Sequence, residues 1–135
     1  MKSKAVEYFF NQGYSCSEAV VKAAADVELV NQNLVPLATP FSGGISSGCL
    51  CGAIAGMELV IGAVCGRHDN SESSLEAKNL AKQSIIEFKE RNKYTCCRAL
   101  TAGMSMASSE RKEHCCKMVC DAAEILERLL IKEKI

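Results

Sequence analysis

The chain reads as an all-α protein, a compact bundle of about four main helices plus several short ones around one buried central helix. Three observations point there. Apolar residues recur at helical spacing through most of the chain. Ser-x-x-Glu, a helix-start signature, precedes two such runs, at Ser15–Glu18 and at Ser73–Glu76. No window alternates polar and apolar residues with β-branched enrichment and turn dipeptides, so no strand is expected.

Taken in order, Val6, Phe9 and Phe10 mark a short amphipathic helix that stops near Gly13. The Ser15 box opens a helix with Cys16, Ala19, Val20, Ala23, Ala24 and Val27 on one face. Leu34 to Ala38 suits a single turn, with Pro36 near its start. Phe41 to Gly48 holds Gly43, Gly44 and Gly48 and reads as a loop with unusual backbone angles or a close approach. Ala53 to Cys65 is apolar nearly all round, hence central, and Gly52, Gly56 and Gly62 should let neighbouring helices come close. Gly66 is placed to stop it. After a polar connector, the Ser73 box should open a helix burying Ala77, Leu80, Ala81, Ser84, Ile85 and Phe88. Thr95 can cap a short helix through Cys96, Cys97, Arg98 and Leu100, ending at Gly103. A last helix from near Ser109 carries Cys116, Val119, Cys120, Ala123, Leu126 and Leu130 on one stripe.

The 135 residues fit one domain. Sixteen basic and sixteen acidic residues cancel, and Arg111-Lys112 is the densest basic cluster, so nucleic acid is not an expected partner. The N-terminal segment lacks the apolar core of a secretory signal. The most apolar stretch, Ala53 to Cys65, contains Glu58 and falls short of the about 20 residues that cross a bilayer. The expected setting is therefore cytoplasmic, without membrane insertion. So apolar a central helix in so short a chain is compatible with a homodimer, which would help to cover it.

Nine cysteines are the outstanding feature. Their odd number and the missing export signal favour metal binding or redox work over a disulfide framework. About half are expected to be small buried hydrophobes, a common role for free cysteine. Cys16 lies just inside a capped helix start, Cys49 and Cys51 flank the start of the central helix, and Cys96-Cys97 opens a short one. Cys115, Cys116 and Cys120 lie early in the last helix, Cys116 and Cys120 being one turn apart. Free amides and the helix dipole at such starts favour thiolate, the nucleophile and metal ligand. Cys51, or Cys49 in its place, is expected to be the most acidic thiol.

No Walker loop, G-x-G-x-x-G, H-E-x-x-H or G-x-S-x-G occurs, so no nucleotide cofactor is expected. There is no C-x-x-C-H for haem, and no C-x-x-C of thioredoxin or zinc-knuckle type.

From about Tyr14 to Leu126 the chain resembles the redox-active proteins named for the cysteine pattern C, GCAxxG, C, C. The first cysteine is similar to Cys16 in Tyr14-Ser15-Cys16-Ser17-Glu18. The glycine-rich Phe41-Ser42-Gly43-Gly44 precedes the central block Cys51-Gly52-Ala53-Ile54-Ala55-Gly56. The third and fourth are similar to Cys97 in Cys97-Arg98-Ala99-Leu100 and Cys116 in Cys116-Lys117-Met118-Val119. The central block reads Cys-Gly-Ala where the family name has Gly-Cys-Ala, so Cys49 can share or replace the role of Cys51. Gly43, Gly44 and Gly52 are the candidates for close backbone approach to a cofactor. Cys65, Cys96, Cys115 and Cys120 are read as core or supporting thiols.

The resemblance implies redox activity served by an unidentified redox partner protein, with no haem. Three readings stand. Cys16, Cys51, Cys97 and Cys116 equal the ligand count of an iron–sulfur cluster held by four cysteines. Two of these thiols could instead cycle through a disulfide without metal. The third reading is a structural zinc fold or an interaction module with incidental thiols. The first two require the four thiols to meet at one end of the bundle. Arg98 beside Cys97 could stabilise a thiolate or make a surface ion pair, and Glu58 could tune a thiol or pair with a base. His68 and His114 are read as ordinary exposed residues.

Overall fold

Ser15 caps the helix that positions the first cysteine. Its Oγ accepts from the Glu18 amide at 3.3 Å, and the Glu18 carboxylate accepts from the Ser15 amide at 2.9 Å. The computed structural model describes residues 1–105 and 108–131, and its α-helices are α1 (Lys2–Asn11), α2 (Cys16–Asp26), α3 (Val35–Ala38), α4 (Gly52–Cys65), α5 (Leu75–Asn92), α6 (Cys97–Leu100) and α7 (Ser109–Leu130). Among the described residues there is no strand; a single antiparallel bridge joins Leu50 to Cys96.

The core forms where α2, α4 and α7 meet. Ala19, Val20, Ala23 and Ala24 of α2 face Ala53, Ile54, Met57 and Val60 of α4, and all are fully buried. Val119, Ala122, Ala123, Ile125 and Leu126 of α7 close the same cluster. So many alanines and glycines bring the α2 and α4 backbones close together. A Cβ on Gly56 would lie 2.7 Å from the Ser17 carbonyl and 3.2 Å from the Val20 Cβ. Gly62, expected to serve a similar contact, has nothing within 4 Å of where its Cβ would stand. It and Ala63 are exposed, so that side of the last turn of α4 faces away from the core, while Val64 and Cys65 still pack against it.

The start of α2 also anchors the next segment. The buried Ser17 hydroxyl donates to the Ala38 carbonyl at 2.7 Å, and Thr39 Oγ1 donates to Glu18 at 2.7 Å. From there the chain enters the glycine-rich loop. Gly43, Gly44, Ile45 and Ser46 lie consecutively in the left-handed region, with φ of 65°, 67°, 60° and 56°. Glycine takes that region freely, whereas Ile45, being β-branched, is strained there.

Four expectations about helix starts and faces need correction. Ser73 and Glu76 do not form a capping box, because α5 starts at Leu75 with Ser74 as its N-cap and Glu76 is one position early for the reciprocal bond. Ser73 Oγ accepts instead from the Leu75 amide, and Glu76 accepts from the Cys65 thiol at 3.7 Å. Thr95 does not cap α6. Its carbonyl takes the Cys51 amide at 2.8 Å, and Cys96 occupies the cap position. Only Ser84 and Phe88 of α5 are fully buried, since this helix lies across the outside of α4 and α7. Val27, placed on the inner face of α2, is its C-cap and is 41% exposed.

Asp121, on α7, ties that helix to the end of α5. Lys117 donates to it at 2.9 Å, Asn92 at 2.9 Å and Arg91 at 3.2 Å. Burial alone would raise the Asp121 pKa, but the Lys117, Asn92 and Arg91 contacts outweigh it and hold the carboxyl below its usual value.

Two outcomes follow from this packing. Gly56→Ala drives a methyl into α2 backbone and should cost about 1–3 kcal/mol, whereas Gly62→Ala, in open space within a helix, should gain about 0.5–1 kcal/mol; urea unfolding measures both. The stability that Asp121 contributes is present above the ordinary carboxylate pKa of about 3.9 and lost as pH falls through its lower folded value. Asp121→Asn should flatten that acid limb, read as the urea midpoint against pH.

Candidate functional site

Four helix starts converge on one cavity of about 420 Å³, and each brings a thiol. Cys16 is the first residue of α2, Cys51 is the N-cap of α4, Cys97 is the first residue of α6 and Cys115 lies in the second turn of α7. The walls between them include Tyr14, Gly43, Leu100, Arg111 and Met118.

Cys16 fits because Gly52 has no side chain: a Cβ on Gly52 would overlap the Cys16 sulfur. Burial raises the Cys16 pKa, while the Gly43 amide, hydrogen-bonded to the sulfur, pulls it back; the net shift is upward. The glycine loop thus delivers its donor to a sulfur on another element. Gly43 and Gly52 line the cavity, whereas Gly44 sits behind it, where a Cβ would lie 2.7 Å from the Cys97 Cβ and from the Cys49 amide nitrogen.

Cys51 is not the acidic thiol that its helix start suggested. Burial pushes it up to about 12, although the Ile54 and Ala53 amides at the start of α4 act to lower it. A helix start favours thiolate only while water still reaches the sulfur, and Cys51 is buried. Cys97 is held by its amide, which donates to the Cys49 carbonyl at 2.5 Å, and Arg111 Nη2 lies 3.8 Å from its sulfur. Arg111 also hydrogen-bonds the Cys115 thiol, acting to lower a pKa that burial raises overall.

The fourth position departs from expectation. Cys116 does not line the cavity; Cys115, read from sequence as a supporting thiol, does. The face of α7 toward the cavity is Ser108, Arg111, Lys112, Cys115 and Met118, and one residue further turns Cys116 by about 100° off it. The signal was present in the spacing. Cys115 lies three, seven and ten residues before the buried Met118, Ala122 and Ile125, the middle of the α7 core stripe.

Cys49 is exposed, receives a hydrogen bond from Ser47 Oγ at 3.5 Å and stands outside the cavity, so of the pair Cys49 and Cys51 it is Cys51 that lines the cavity. Arg98 does not face the Cys97 thiol. Its Nη2 donates to the Ser47 carbonyl at 2.9 Å, and its guanidinium packs over Gly48, bracing the glycine loop. Arg111 takes the thiol contact, and nothing in the local sequence had marked it beyond its charge. Glu58 is half-buried, accepts from Ser84 Oγ at 2.6 Å and lies elsewhere, its pKa raised by burial. His68 is exposed beside Glu72. His114 is half-buried, and its enclosed Nε2 has no hydrogen-bond partner among the described residues.

None of the nine cysteines is joined in a disulfide. Among the described residues, no three His, Cys, Asp or Glu side chains are grouped closely enough to hold a single metal ion. The four thiols surround a space rather than a point. They can take up something larger than one ion, or pair with one another after movement.

In the metal-free protein at pH 8, burial keeps the Cys51 thiol protonated. Iodoacetamide should therefore modify the exposed Cys49 and Cys96 well before Cys51, as peptide mass spectrometry against time would show. Cys51 reacting first would contradict the burial described here.

Among the described residues, no helix is long and apolar enough to cross a membrane. No curated protein and no solved structure matches the chain. The family described as "Putative redox-active protein (C_GCAxxG_C_C)" matches residues 14–129. That span holds all four cavity thiols and the glycine loop, and the chain belongs to this family of redox-active proteins.

Proposed function

We propose that the protein transfers electrons at a four-cysteine site, Cys16, Cys51, Cys97 and Cys115, that holds an iron–sulfur cluster. The observation that carries this reading is the meeting of four thiols, each from a different helix, around one cavity. Four thiolates are the ligand set of common clusters. The absence of any grouping suited to a single ion, among the described residues, counts against a structural zinc centre.

The raised pKa values also favour a cluster over free thiols. Buried Cys51 and part-buried Cys16 and Cys115, their pKa values raised, are poor nucleophiles, whereas coordination to a cation deprotonates a thiol outright. A bound cluster would supply one-electron chemistry at its iron atoms. The chain's own part is to hold the ligands and set their surroundings. The Gly43 amide donates to the Cys16 sulfur, the amides of Ala53 and Ile54 face Cys51, and Arg111 reaches Cys97 and Cys115. Tyr14, Leu100 and Met118 provide walls that limit water. Such donors and such burial are the means by which a protein tunes a cluster's potential.

A metal-free thiol–disulfide cycle is the second reading, favoured by Arg111 lying against two neighbouring thiols. On either reading the partner is a redox protein still to be identified. A second copy of the chain, covering the exposed Leu37 and the last turn of α4, is proposed as the assembly, and a cytoplasmic setting goes with it.

Anaerobic reconstitution with ferrous iron and sulfide tests the main reading. It should yield visible absorbance that bleaches with dithionite, with iron and sulfide in matching amounts. Cys16→Ser, Cys51→Ser, Cys97→Ser and Cys115→Ser should each lose most of the absorbance, and Cys116→Ser should keep it. Failure to take up iron, with a disulfide forming reversibly among the same thiols, would establish the second reading instead.

A further inference from the structure

Arg111 breaks a local rule. It is the third residue of α7, where the helix dipole favours acidic side chains and disfavours a cation. The position is otherwise well made, since Ser108 Oγ accepts the Arg111 amide at 3.1 Å. Violations of local preference collect at functional positions, and the contacts of this side chain say what it gains. Its guanidinium reaches the Cys97 sulfur at 3.8 Å, joining α6 to α7 across the cavity wall, and its charge acts on the Cys115 thiol one turn along α7. The neighbouring Lys112 lines the same cavity, but its Nζ stands 5.2 Å over the Phe10 ring. Arg98, the nearer basic residue in sequence, is engaged by Ser47.

We infer that Arg111 is a positioning residue that sets the charge balance of the four-cysteine site, holding Cys97 and Cys115 as a pair and favouring the reduced state. The inference rests on the proposed electron-transfer reading for its redox part only. Reduction adds one electron, supplied by a donor protein in the cell or by dithionite in an assay. No bond forms or breaks and no proton need move, so the site becomes more negative by one charge. A cation that contacts one of its sulfurs at 3.8 Å and acts on a second stabilises that added charge, more strongly the less water reaches it. A planar fork can serve two sulfurs at once, which a lysine ammonium on a flexible stem does less well.

The test compares Arg111→Gln, Arg111→Lys and Lys112→Gln with the unaltered protein, circular dichroism confirming that each folds. In metal-free protein at fixed pH 8, Arg111→Gln should slow iodoacetamide modification of Cys97 and Cys115 at least three-fold and leave Cys49 unchanged. Arg111→Lys should recover part of the rate, and Lys112→Gln should change it little. In reconstituted protein, spectroelectrochemistry should find the midpoint potential of Arg111→Gln shifted negative, and that of Lys112→Gln shifted less. Unchanged alkylation rates, an unchanged potential in cluster-bearing Arg111→Gln, or equal effects from Lys112→Gln would each overturn the inference. If the unaltered protein takes up no cluster, the electron-transfer reading fails, and the alkylation rates still decide the role of Arg111.

Discussion

The close approach of α2 to α4 is the constraint on which the rest depends. Gly52 and Gly56, one helical turn apart, remove two side chains from the face that α4 turns toward α2. At Gly56 the freed space is taken by α2 backbone, and at Gly52 it is taken by the Cys16 sulfur. The same contact therefore packs the core and places the first thiol beside the second. A gap of about 0.5–1 Å forfeits a quarter to a half of the dispersion attraction, and closer approach meets steep repulsion, so a spacing set by missing side chains is stiff. The hydrogen bonds of Ser17 and Glu18 then carry that spacing onward to Ala38 and Thr39, and so to the loop that supplies Gly43.

What could be read in advance was whatever short-range chemistry decides. The Ser15 cap, the α4 span to Gly66 and the helical periodicity all rest on neighbours within a turn, and the family resemblance found three of the four cavity cysteines. The failures have a common physical source. At Ser73 and Thr95 the expected caps give way to tertiary hydrogen bonds or to a one-residue shift in the start of the helix. The choice between Cys115 and Cys116 turns on which of two adjacent residues faces inward, and the stripes of α7 running through each are both largely buried. The Cys51 acidity went astray because sequence displays the helix start but not the depth of burial. Arg111 was invisible as a functional residue because Cys97, whose sulfur it reaches, lies on another helix, and Cys115, one turn along α7, was read as a supporting thiol.

The loop from Gly43 to Gly48 shows how backbone conformation and site chemistry are joined. Four consecutive left-handed residues bend the chain sharply enough to aim the Gly43 amide at Cys16 while the Cys49 carbonyl takes the amide of Cys97. Ile45 bears a conformational penalty there, and the surrounding bonds of Arg98 to Ser47 and of Cys49 to Gly44 hold it in place. Strain of this kind persists only where a structure over-determines it.

Burial of the thiols has a consequence for the life of the chain before it is folded. In an extended chain all nine cysteines face water, each with the ordinary thiol acidity near pKa 8.5, and the four cavity thiols are up to 99 positions apart in sequence, from Cys16 to Cys115. The site cannot form piecemeal, so its thiols are most open to oxidants and to stray metal while the polypeptide is incomplete. Closure of the bundle lowers the thiolate population at Cys16, Cys51 and Cys115. Folding itself thus acts as the protecting group for a centre whose ligands would otherwise be consumed before they met.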